Sequence, residues 1–268
     1  MAKTEATTLR FTIAVRQPFP WNELLGYFTT RLIDGAETVG AGCYQRHGPD
    51  HTMRIGYDAA QSALVVEARG LSRDIAQANA ERLFTPQHDG RAIEAALKRR
   101  PVLASRIKRC PGFRPLGCWS SFELCVRTLV GQQVTVVAAR TLTARLLARC
   151  GEPTPERIVA ANLDQLGMPG KRVAAIRGFA EAVANGDIDL AADWSTLNER
   201  LSRQPGFGPW TRGYLAIRLG RDLDAFPDND IGLLRAANVE TPKALRELAE
   251  AWRPYRGYAA TLLWAVAP

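Results

Sequence analysis

Two short helices separated by a turn with two closely spaced glycines constrain the fold of this chain more than any other feature. The segment LSRQPGFGPWTRGYLAIRLG occupies residues 201–220. Pro205 ends one helical pattern, because proline lacks the backbone N–H that a helix interior needs. Pro209 suits the first position of the next helix, where that N–H would have no partner. Gly206 and Gly208 permit a very tight turn between them, so the sequence predicts a helical hairpin.

The turn of this hairpin has the features of an anion site. Phe207 stands between the two glycines, which leave backbone N–H groups uncovered at a helix N-terminus. The helix dipole adds positive potential at the same point. A DNA phosphate would suit such a site, and no base would have to be read. An ordinary turn between helices, with glycine at its usual capping position, also explains these residues.

The charge balance favours a polyanionic partner without requiring one. The chain has 35 Lys and Arg against 27 Asp and Glu, a formal net charge of +8, and a sequence pI near 9.6. Nucleic acid is the first candidate for such a surface. The alternative is that the chain is one of many soluble proteins that are simply basic.

Cysteine usage and the N-terminal sequence favour a cytoplasmic protein. The five cysteines are odd in number and dispersed, which predicts reduced thiols rather than disulfides and is too sparse for a zinc or iron–sulfur site. They are Cys43, Cys110, Cys118, Cys125 and Cys150. No segment approaches the ~18 apolar residues that a membrane helix needs. The first residues, MAKTEATTLRF, lack the apolar region of a signal peptide.

Hydrophobic periodicity changes near residue 88 and predicts two domains. Residues 1–88 mix strand and helix patterns, which indicates a small sheet with helices on one face. Strands are predicted at 9–15, 52–58 and 63–69, and helices at 21–33 and 72–84. Residues 89–268 are almost all helix, in short segments that end at glycine or proline, and include the hairpin at about 197–220.

Several segments, in this order, resemble the 3-methyladenine DNA glycosylase II family of the helix-hairpin-helix DNA glycosylase superfamily. They are QPFPWNELLGYF, ETVGAGCYQRH, SFELCVRTLVGQQVTVVAARTLTARL, LGMPGKRVAAI, PGFGPWTRGYLAIR, FPDNDIGLLR and RPYRGYAATLLW. The resemblance extends over nearly the whole chain. It implies a mainly α protein with an N-terminal α+β domain and two helical subdomains flanking a cleft. The implied partner is double-stranded DNA with alkylated bases in the nucleoid, bound by what we expect to be a monomer.

The resemblance assigns the catalytic role to Asp230, which begins a helix after the hairpin. Breaking an N-glycosidic bond builds positive charge on the sugar, and a nearby carboxylate stabilises that charge. Asp is also a favoured helix N-cap, so Asp230 needs no catalytic role to stand there, and Asp228 could equally be the cap. Asp222 and Asp224 are expected in a solvated loop.

The resemblance also implies a base pocket made of aromatic side chains, because electron-rich rings attract cationic alkylated purines. The matching positions are Trp210, Tyr214, Trp264 and, from the N-terminal domain, Tyr27. Ordinary burial in the core is the alternative for each of them. The chain departs from the family pattern after the catalytic Asp, where Ile231 and Gly232 replace an aromatic residue. This wall of the pocket is therefore expected to be smaller or more open.

Family positions also predict the DNA contacts. Gln133, in the GQQV turn, matches the residue that fills the hole left by a flipped base, and Gln132 is the weaker candidate. The other predicted contacts are Gly206, Phe207, Gly208, Lys171, Arg172 and Arg212. Family hairpins can also bind Na⁺ or K⁺ through backbone carbonyls. The matching carbonyls are those of Ser202, Gln204 and Phe207.

Residues that the chain lacks narrow the expected reaction. Relatives that also cut the DNA backbone carry a Lys two residues past the last hairpin glycine, and Trp210 stands there instead. Tryptophan forms no Schiff base, so a monofunctional enzyme that leaves an intact abasic site is expected. No iron–sulfur cluster is expected either, since no cysteines follow Asp230. A non-catalytic DNA-structure binder and a glycosylase for hypoxanthine or oxidised purines remain the alternatives.

Overall fold

A five-stranded antiparallel sheet forms the N-terminal part of the computed structural model, which describes residues 8–266. Its strands are β1 (Leu9–Ala14), β2 (Glu37–Gly40), β3 (Cys43–His47), β4 (Thr52–Asp58) and β5 (Ala63–Arg69). Their order across the sheet is β1-β5-β4-β3-β2. The predicted strands correspond to β1, β4 and β5, whereas β2 and β3 are additional. The expectation that no targeting segment begins the chain falls mainly on residues 1–7, which lie outside the described part.

Thirteen helices complete the described residues, and none of them is long and apolar enough to cross a bilayer. They are α1 (Trp21–Thr29), α2 (Arg73–Phe84), α3 (Arg91–Leu97), α4 (Pro101–Arg109), α5 (Ser121–Val130), α6 (Val136–Cys150), α7 (Pro155–Ala160), α8 (Gly170–Ala184), α9 (Trp194–Ser202), α10 (Pro209–Arg218), α11 (Ile231–Ala237), α12 (Pro242–Glu250) and α13 (Arg256–Ala265).

Side-chain caps explain where many of these helices begin. Ser72 accepts a hydrogen bond from the N–H of Ile75 at the start of α2, as the sequence predicts. Ser120 and Thr135 cap α5 and α6 in the same way. The predicted helix over 21–33 is too long, because α1 ends at Thr29.

Two hydrophobic cores organise the chain. The first combines the sheet with α1 to α4 and with the C-terminal helices α11 to α13. The second lies among α5 to α10. The mainly helical fold with an N-terminal α+β part is therefore confirmed, while the division into domains at residue 88 stays a prediction. The core that contains the sheet extends well beyond that residue, since Leu97 and Leu263 belong to it.

A buried arginine connects the sheet to the second group of helices. Arg46 on β3 is 1% exposed. Its guanidinium lies 2.5 Å from Glu123 on α5 and 3.3 Å from Glu37 on β2. Arg127 on α5 also approaches Glu37, at 3.6 Å. Opposite charges buried together in this way hold strands and helix in one arrangement, and α1 and α5 both contribute to the cleft described below.

The loop between α10 and α11 departs from the expectation of a solvated segment. Asp224 is partly buried and forms ion pairs with Arg253 and Arg256. Asp222 accepts a hydrogen bond from the N–H of Asp224 at 2.8 Å. The prediction is wrong for Asp224, because Arg253, shortly before α13, and Arg256, its first residue, pair with this carboxylate, a contact with no local sequence signal.

Candidate active site

A cleft of about 1440 Å³ opens where the two cores meet. Residues from both halves of the chain line it, including Tyr27, Gln133, Trp210, Tyr214, Asp230 and Trp264. Tyr27 lies on α1, Trp210 and Tyr214 lie on α10, and Trp264 lies on α13. The proposed catalytic and pocket residues are thus brought together in one place, although they are spread over most of the sequence.

Asp230 begins α11 as its N-cap. One carboxylate oxygen, Oδ1, accepts the backbone N–H of Leu233 at 2.8 Å. The same oxygen accepts the indole N–H of Trp264 at 3.1 Å, and Oδ2 accepts the indole N–H of Trp210 at 2.9 Å. Three donors from three helices therefore fix the orientation of this carboxylate. Asp228 does not cap α11, because its carboxylate binds Arg246 at 2.6 Å.

The aromatic side chains form a continuous surface beside Asp230. The rings of Trp210 and Tyr214 stack with centroids 5.5 Å apart and planes 14° apart, as their spacing of four residues on one helix allows. Tyr214 also meets Trp264 at 5.4 Å, with the planes tilted by 57°. One face of Trp210 is therefore covered by Tyr214, and the indole edges of both tryptophans point to Asp230.

Arg218 contacts two tyrosines of this surface. Arg218 donates to the hydroxyl of Tyr214 at 2.6 Å and to the carbonyls of Leu116 and Gly117. Its guanidinium lies 5.2 Å from the ring centroid of Tyr27. Burial raises the pKa of the Tyr214 phenol. Arg218 follows Tyr214 by four residues on α10, a spacing that could have indicated this pair from sequence.

Tyr27 contributes less open surface than expected. Its side chain is 3% exposed, although it lines the cleft. The guanidinium of Arg31 lies 4.0 Å from the ring centroid. Since Arg31 and Arg218 already occupy cation–π positions at this ring, little of it remains for a cationic base.

The wall beside Asp230 is open, in agreement with the departure at Ile231 and Gly232. Ile231 is 63% exposed. A Cβ atom added to Gly232 would lie 3.0 Å from Oδ1 of Asp230 and 3.6 Å from the Trp264 ring. A side chain at position 232 would therefore crowd the contact between Asp230 and Trp264.

The hairpin lies beside this cleft and packs on α5. Gly206 has a φ of 87°, and a Cβ atom there would lie 2.7 Å from a methyl group of Leu129. Gly206 and Gly208 are exposed. Phe207 is 1% exposed and its ring packs against Phe179 at 4.9 Å. The proposed DNA contact of Phe207 is therefore available only through its backbone.

The two glutamines of the GQQV turn have different environments. Gln133 is exposed, lines the cleft and has a φ of 56°. The amide of Gln132 instead donates to the carbonyl of Gly206 at 2.7 Å and to the hydroxyl of Thr211 at 3.0 Å. Gln132 thus connects the GQQV turn to the hairpin through two hydrogen bonds. The sequence interpretation missed this role because the contact spans more than seventy residues.

Comparisons with known proteins agree with this geometry. Residues 10–120 match the AlkA N-terminal domain, and residues 126–254 match the HhH-GPD superfamily of base excision DNA repair proteins. DNA-3-methyladenine glycosylase 2 of Escherichia coli strain K12 is 32% identical in a match that covers 95% of this chain and 96% of that protein. The chain belongs to the 3-methyladenine DNA glycosylase II family. The family resemblance found in the sequence is confirmed.

Other relatives of this glycosylase chain extend the comparison. The probable bifunctional transcriptional activator/DNA repair enzyme AlkA of Mycobacterium tuberculosis is 31% identical in a match that covers 98% of this chain and 58% of that protein. The solved structure of a 3-methyladenine DNA-glycosylase from Archaeoglobus fulgidus has a TM-score of 0.81 and 19% identity. It covers 95% of this chain and 97% of that chain. At this identity the structural likeness concerns the fold.

The basic residues proposed for this glycosylase differ in what they contact. Lys171 is exposed in the first turn of α8. Arg172 is partly buried and donates to the carbonyl of Gln132 at 2.7 Å. Its guanidinium therefore supports the GQQV turn, which leaves it less suited to a phosphate than Lys171.

The hairpin carbonyls do not fit a monovalent cation well. The carbonyl of Phe207 accepts the Arg212 guanidinium at 2.7 Å, and the carbonyl of Gln204 accepts the N–H of Phe207 at 3.2 Å. An ion on the Phe207 oxygen would lie about 5 Å from that guanidinium, a repulsion of about 3 kcal/mol at an effective dielectric constant of about 20. Two of the three proposed ligands, Ser202 excepted, thus already have a donor.

Proposed function

We propose that this chain is a monofunctional DNA glycosylase that excises alkylated purines of the 3-methyladenine and 7-methylguanine type. It would act on double-stranded DNA in base excision repair and leave an abasic site. One observation carries the proposal, namely that the carboxylate of Asp230 is held by the indole groups of Trp210 and Trp264 inside a cleft beside the hairpin. Family membership is consistent with it.

The proposed reaction requires the damaged nucleotide to leave the duplex and enter the cleft. The C1′–N9 bond then breaks, and its electron pair leaves with the purine. The sugar develops positive charge, which the carboxylate of Asp230 stabilises. A water oxygen bonds to C1′ and loses a proton, which gives the abasic sugar. Because an N-alkylated purine is already cationic, it departs as a neutral base and needs modest further assistance.

Two arginines in the lining of the cleft favour a second candidate substrate. Arg31 and Arg218 line the cleft and lie 4.0 Å and 5.2 Å from the ring centroid of Tyr27. Their charges oppose a cationic base but would bind the O6 oxygen of a neutral purine such as hypoxanthine. We therefore keep hypoxanthine excision as an alternative within the same active site.

The residue at the family's lysine position and the lining of the cleft support the monofunctional assignment. Trp210 occupies the place where lyase relatives carry lysine, and its N–H is already donated to Asp230. Within residues 8–266, the side chains that line the cleft include arginines but no lysine. A Schiff base needs a neutral amine, and guanidinium groups are always protonated.

The decisive experiment measures base release from defined duplexes. Each duplex carries 3-methyladenine, 7-methylguanine, hypoxanthine or 8-oxoguanine, and alkali treatment reveals abasic sites after incubation. Release of the alkylated bases, with no nick before alkali, supports the proposal. Preferential release of hypoxanthine supports the alternative, whereas binding with no release of any base supports a non-catalytic DNA-structure binder.

A second experiment tests the absence of lyase chemistry. Borohydride is added during turnover of a duplex whose base the enzyme releases, and protein–DNA adducts are separated by denaturing electrophoresis. No adduct above the level of heat-denatured enzyme is expected. A high yield of trapped adduct would overturn the monofunctional assignment while leaving base excision intact.

A further inference from the structure

Arg212 joins the two helices of the hairpin at its turn. Its backbone N–H bonds to the carbonyl of Gly208 at 3.0 Å, which places it in the first turn of α10. Its side chain reaches back so that one guanidinium nitrogen donates to the carbonyl of Phe207 at 2.7 Å. The Nε atom donates to the side-chain oxygen of Asn198, on α9, at 2.9 Å. The guanidinium therefore bridges α9, the turn and α10.

The positive charge of Arg212 stays at the turn. Both oxygens that it binds, those of Phe207 and Asn198, belong to neutral groups. A guanidinium is not deprotonated in proteins, so these contacts orient the charge without cancelling it. The exposed glycines Gly206 and Gly208 lie next to it, at the positive end of the α10 dipole.

A bound Na⁺ or K⁺ in a hairpin would have the same two effects as Arg212, on the structure of the turn and on its charge. It would hold backbone carbonyls of the turn in one arrangement, and it would place a positive charge where a phosphate arrives. Arg212 does both through the Phe207 oxygen, one of the three carbonyls implied for the ion. The Arg212 guanidinium and a bound monovalent ion would compete for the Phe207 oxygen and repel each other.

We propose that Arg212 is a built-in replacement for the monovalent cation of the hairpin. DNA binding by this protein would then be independent of which monovalent ion is present, apart from general screening. The proposal rests on the proposed function only in assuming that this hairpin meets the DNA backbone. Arg212 acts here as a positioning residue for the turn and as a donor to the phosphate.

The test compares ions at constant ionic strength. Dissociation constants for a duplex with a tetrahydrofuran abasic-site analogue are measured by fluorescence anisotropy in KCl, NaCl and choline chloride. Choline is too large to sit among backbone carbonyls but screens charges as K⁺ does. The wild-type Kd is expected to agree within about twofold in the three salts, because salt effects on phosphate contacts depend on ion concentration.

Removing Arg212 should create an ion requirement. Arg212→Ala is expected to bind about tenfold more weakly than wild type in choline chloride and to recover at least about threefold in KCl, as a vacated carbonyl admits the ion. Arg212→Gln keeps a donor for the Phe207 carbonyl but lacks the charge, and it should show weaker binding with partial recovery in KCl. Arg212→Lys keeps the charge, so of the three Arg212 variants its Kd should change least between choline chloride and KCl.

Arg221→Ala is the matched control. Arg221 lies beyond the far end of α10, so its loss removes one positive charge roughly 15 Å from the turn. Its Kd should shift equally in all three salts. Thermal unfolding of each variant without DNA, in each salt, separates loss of folding from loss of binding.

Three results would overturn the proposal. The first is wild-type binding that weakens more than about fivefold when choline replaces K⁺, which would show that the hairpin needs the ion. The second is Arg212→Ala that is weak by the same factor in every salt, which would make Arg212 a phosphate contact only. The third is Arg212→Ala that binds as tightly as wild type. A wild type that binds DNA in no salt would instead overturn the proposed function as well.

Discussion

The indole N–H of Trp210 donates to the Oδ2 oxygen of Asp230 across 2.9 Å. This contact joins the first turn of α10 to the start of α11. Trp264 donates to the other oxygen at 3.1 Å. The tryptophans that the family resemblance assigns to the base pocket therefore also hold the carboxylate, so base binding and catalysis depend on the same side chains.

Replacing Asp230 with Asn should abolish most base release. Asn remains a good N-cap for α11, so folding is expected to persist. The negative charge that would stabilise the sugar cation is lost, and excision should fall on the order of 10²-fold or more. Single-turnover release of 7-methylguanine from duplex DNA measures the effect.

Asp228→Asn is the matched control for that variant. Asp228 lies two residues away, but its carboxylate binds Arg246 on α12. Excision by Asp228→Asn should stay within about threefold of wild type, since an exposed ion pair contributes about 1 kcal/mol at most. The reverse pattern, with Asp228→Asn inactive and Asp230→Asn active, would remove Asp230 from the mechanism.

Trp210→Phe and Trp264→Phe test the indole donors. Each variant keeps an aromatic ring but removes one hydrogen bond to the carboxylate. Hydrogen bonds to charged groups contribute about 1.5–3 kcal/mol, so each variant should lose about 10- to 100-fold in the rate of base release. The measured quantity is the single-turnover rate constant at saturating enzyme.

Tyr214→Phe provides the comparison for these variants. Its hydroxyl accepts a hydrogen bond from Arg218, whereas the two indoles donate to Asp230, and the ring itself stays in the stack. The rate should fall less than in either tryptophan variant. If all three variants lose activity equally, the aromatic surface acts as a whole and the indole donors have no separate role.

The sequence predicts those parts of the site that depend on local chemistry. The glycines of the hairpin, the N-cap at Asp230 and the four-residue spacing of Trp210 and Tyr214 are set by backbone geometry within one or two turns of helix. The family resemblance adds Trp264, which no local pattern connects to Asp230.

The remaining parts depend on side chains that meet across long separations. Gln132 and Arg172 are ordinary polar residues in sequence. Only the folded chain shows that Arg172 donates to the carbonyl of Gln132 and that the Gln132 amide donates to the hairpin at Gly206. Strands β2 and β3 were missed for a related reason. The pairing of β3 with β4 and its buried Arg46 stabilise segments whose own patterns are short and polar.

Gln133 offers a test of the predicted plug with little structural cost. Its φ of 56° is one that glycine adopts without strain, so Gln133→Gly removes the side chain and keeps the turn. Excision should fall about tenfold, because a filled gap opposite the orphaned base is lost, while the melting temperature stays near wild type. An unchanged rate of excision would remove the plug role.

Gln132→Ala should behave differently from Gln133→Gly. It breaks two hydrogen bonds to the hairpin, at Gly206 and Thr211. Each contributes about 1 kcal/mol, so both stability and DNA binding should decrease. Urea unfolding and the Kd for the abasic-analogue duplex, measured in parallel for both variants, distinguish the effect of Gln132→Ala from that of Gln133→Gly.

Replacing Arg46 should lower the free energy of unfolding strongly, because this residue connects the sheet to the second core. Its guanidinium is buried between Glu37 and Glu123, and Arg46→Ala would leave both carboxylates with Arg127, at 3.5–3.6 Å, as their remaining cation. Breaking a buried ion pair by removing one partner costs about 3–5 kcal/mol. Urea unfolding of Arg46→Ala should show a loss of this size.

Arg54→Ala is the matched control, since Arg54 lies on the adjacent strand β4 and pairs with Glu67 at 3.4 Å with 43% of its side chain exposed. An exposed pair contributes at most about 1 kcal/mol, so this variant should unfold near the wild-type urea concentration. Arg46→Lys, which keeps one charge but cannot bind two carboxylates through a planar fork, should fall between them. Equal losses in Arg46→Ala and Arg54→Ala would mean that the buried ion pairs of Arg46 add nothing to the stability of the contact between the sheet and α5.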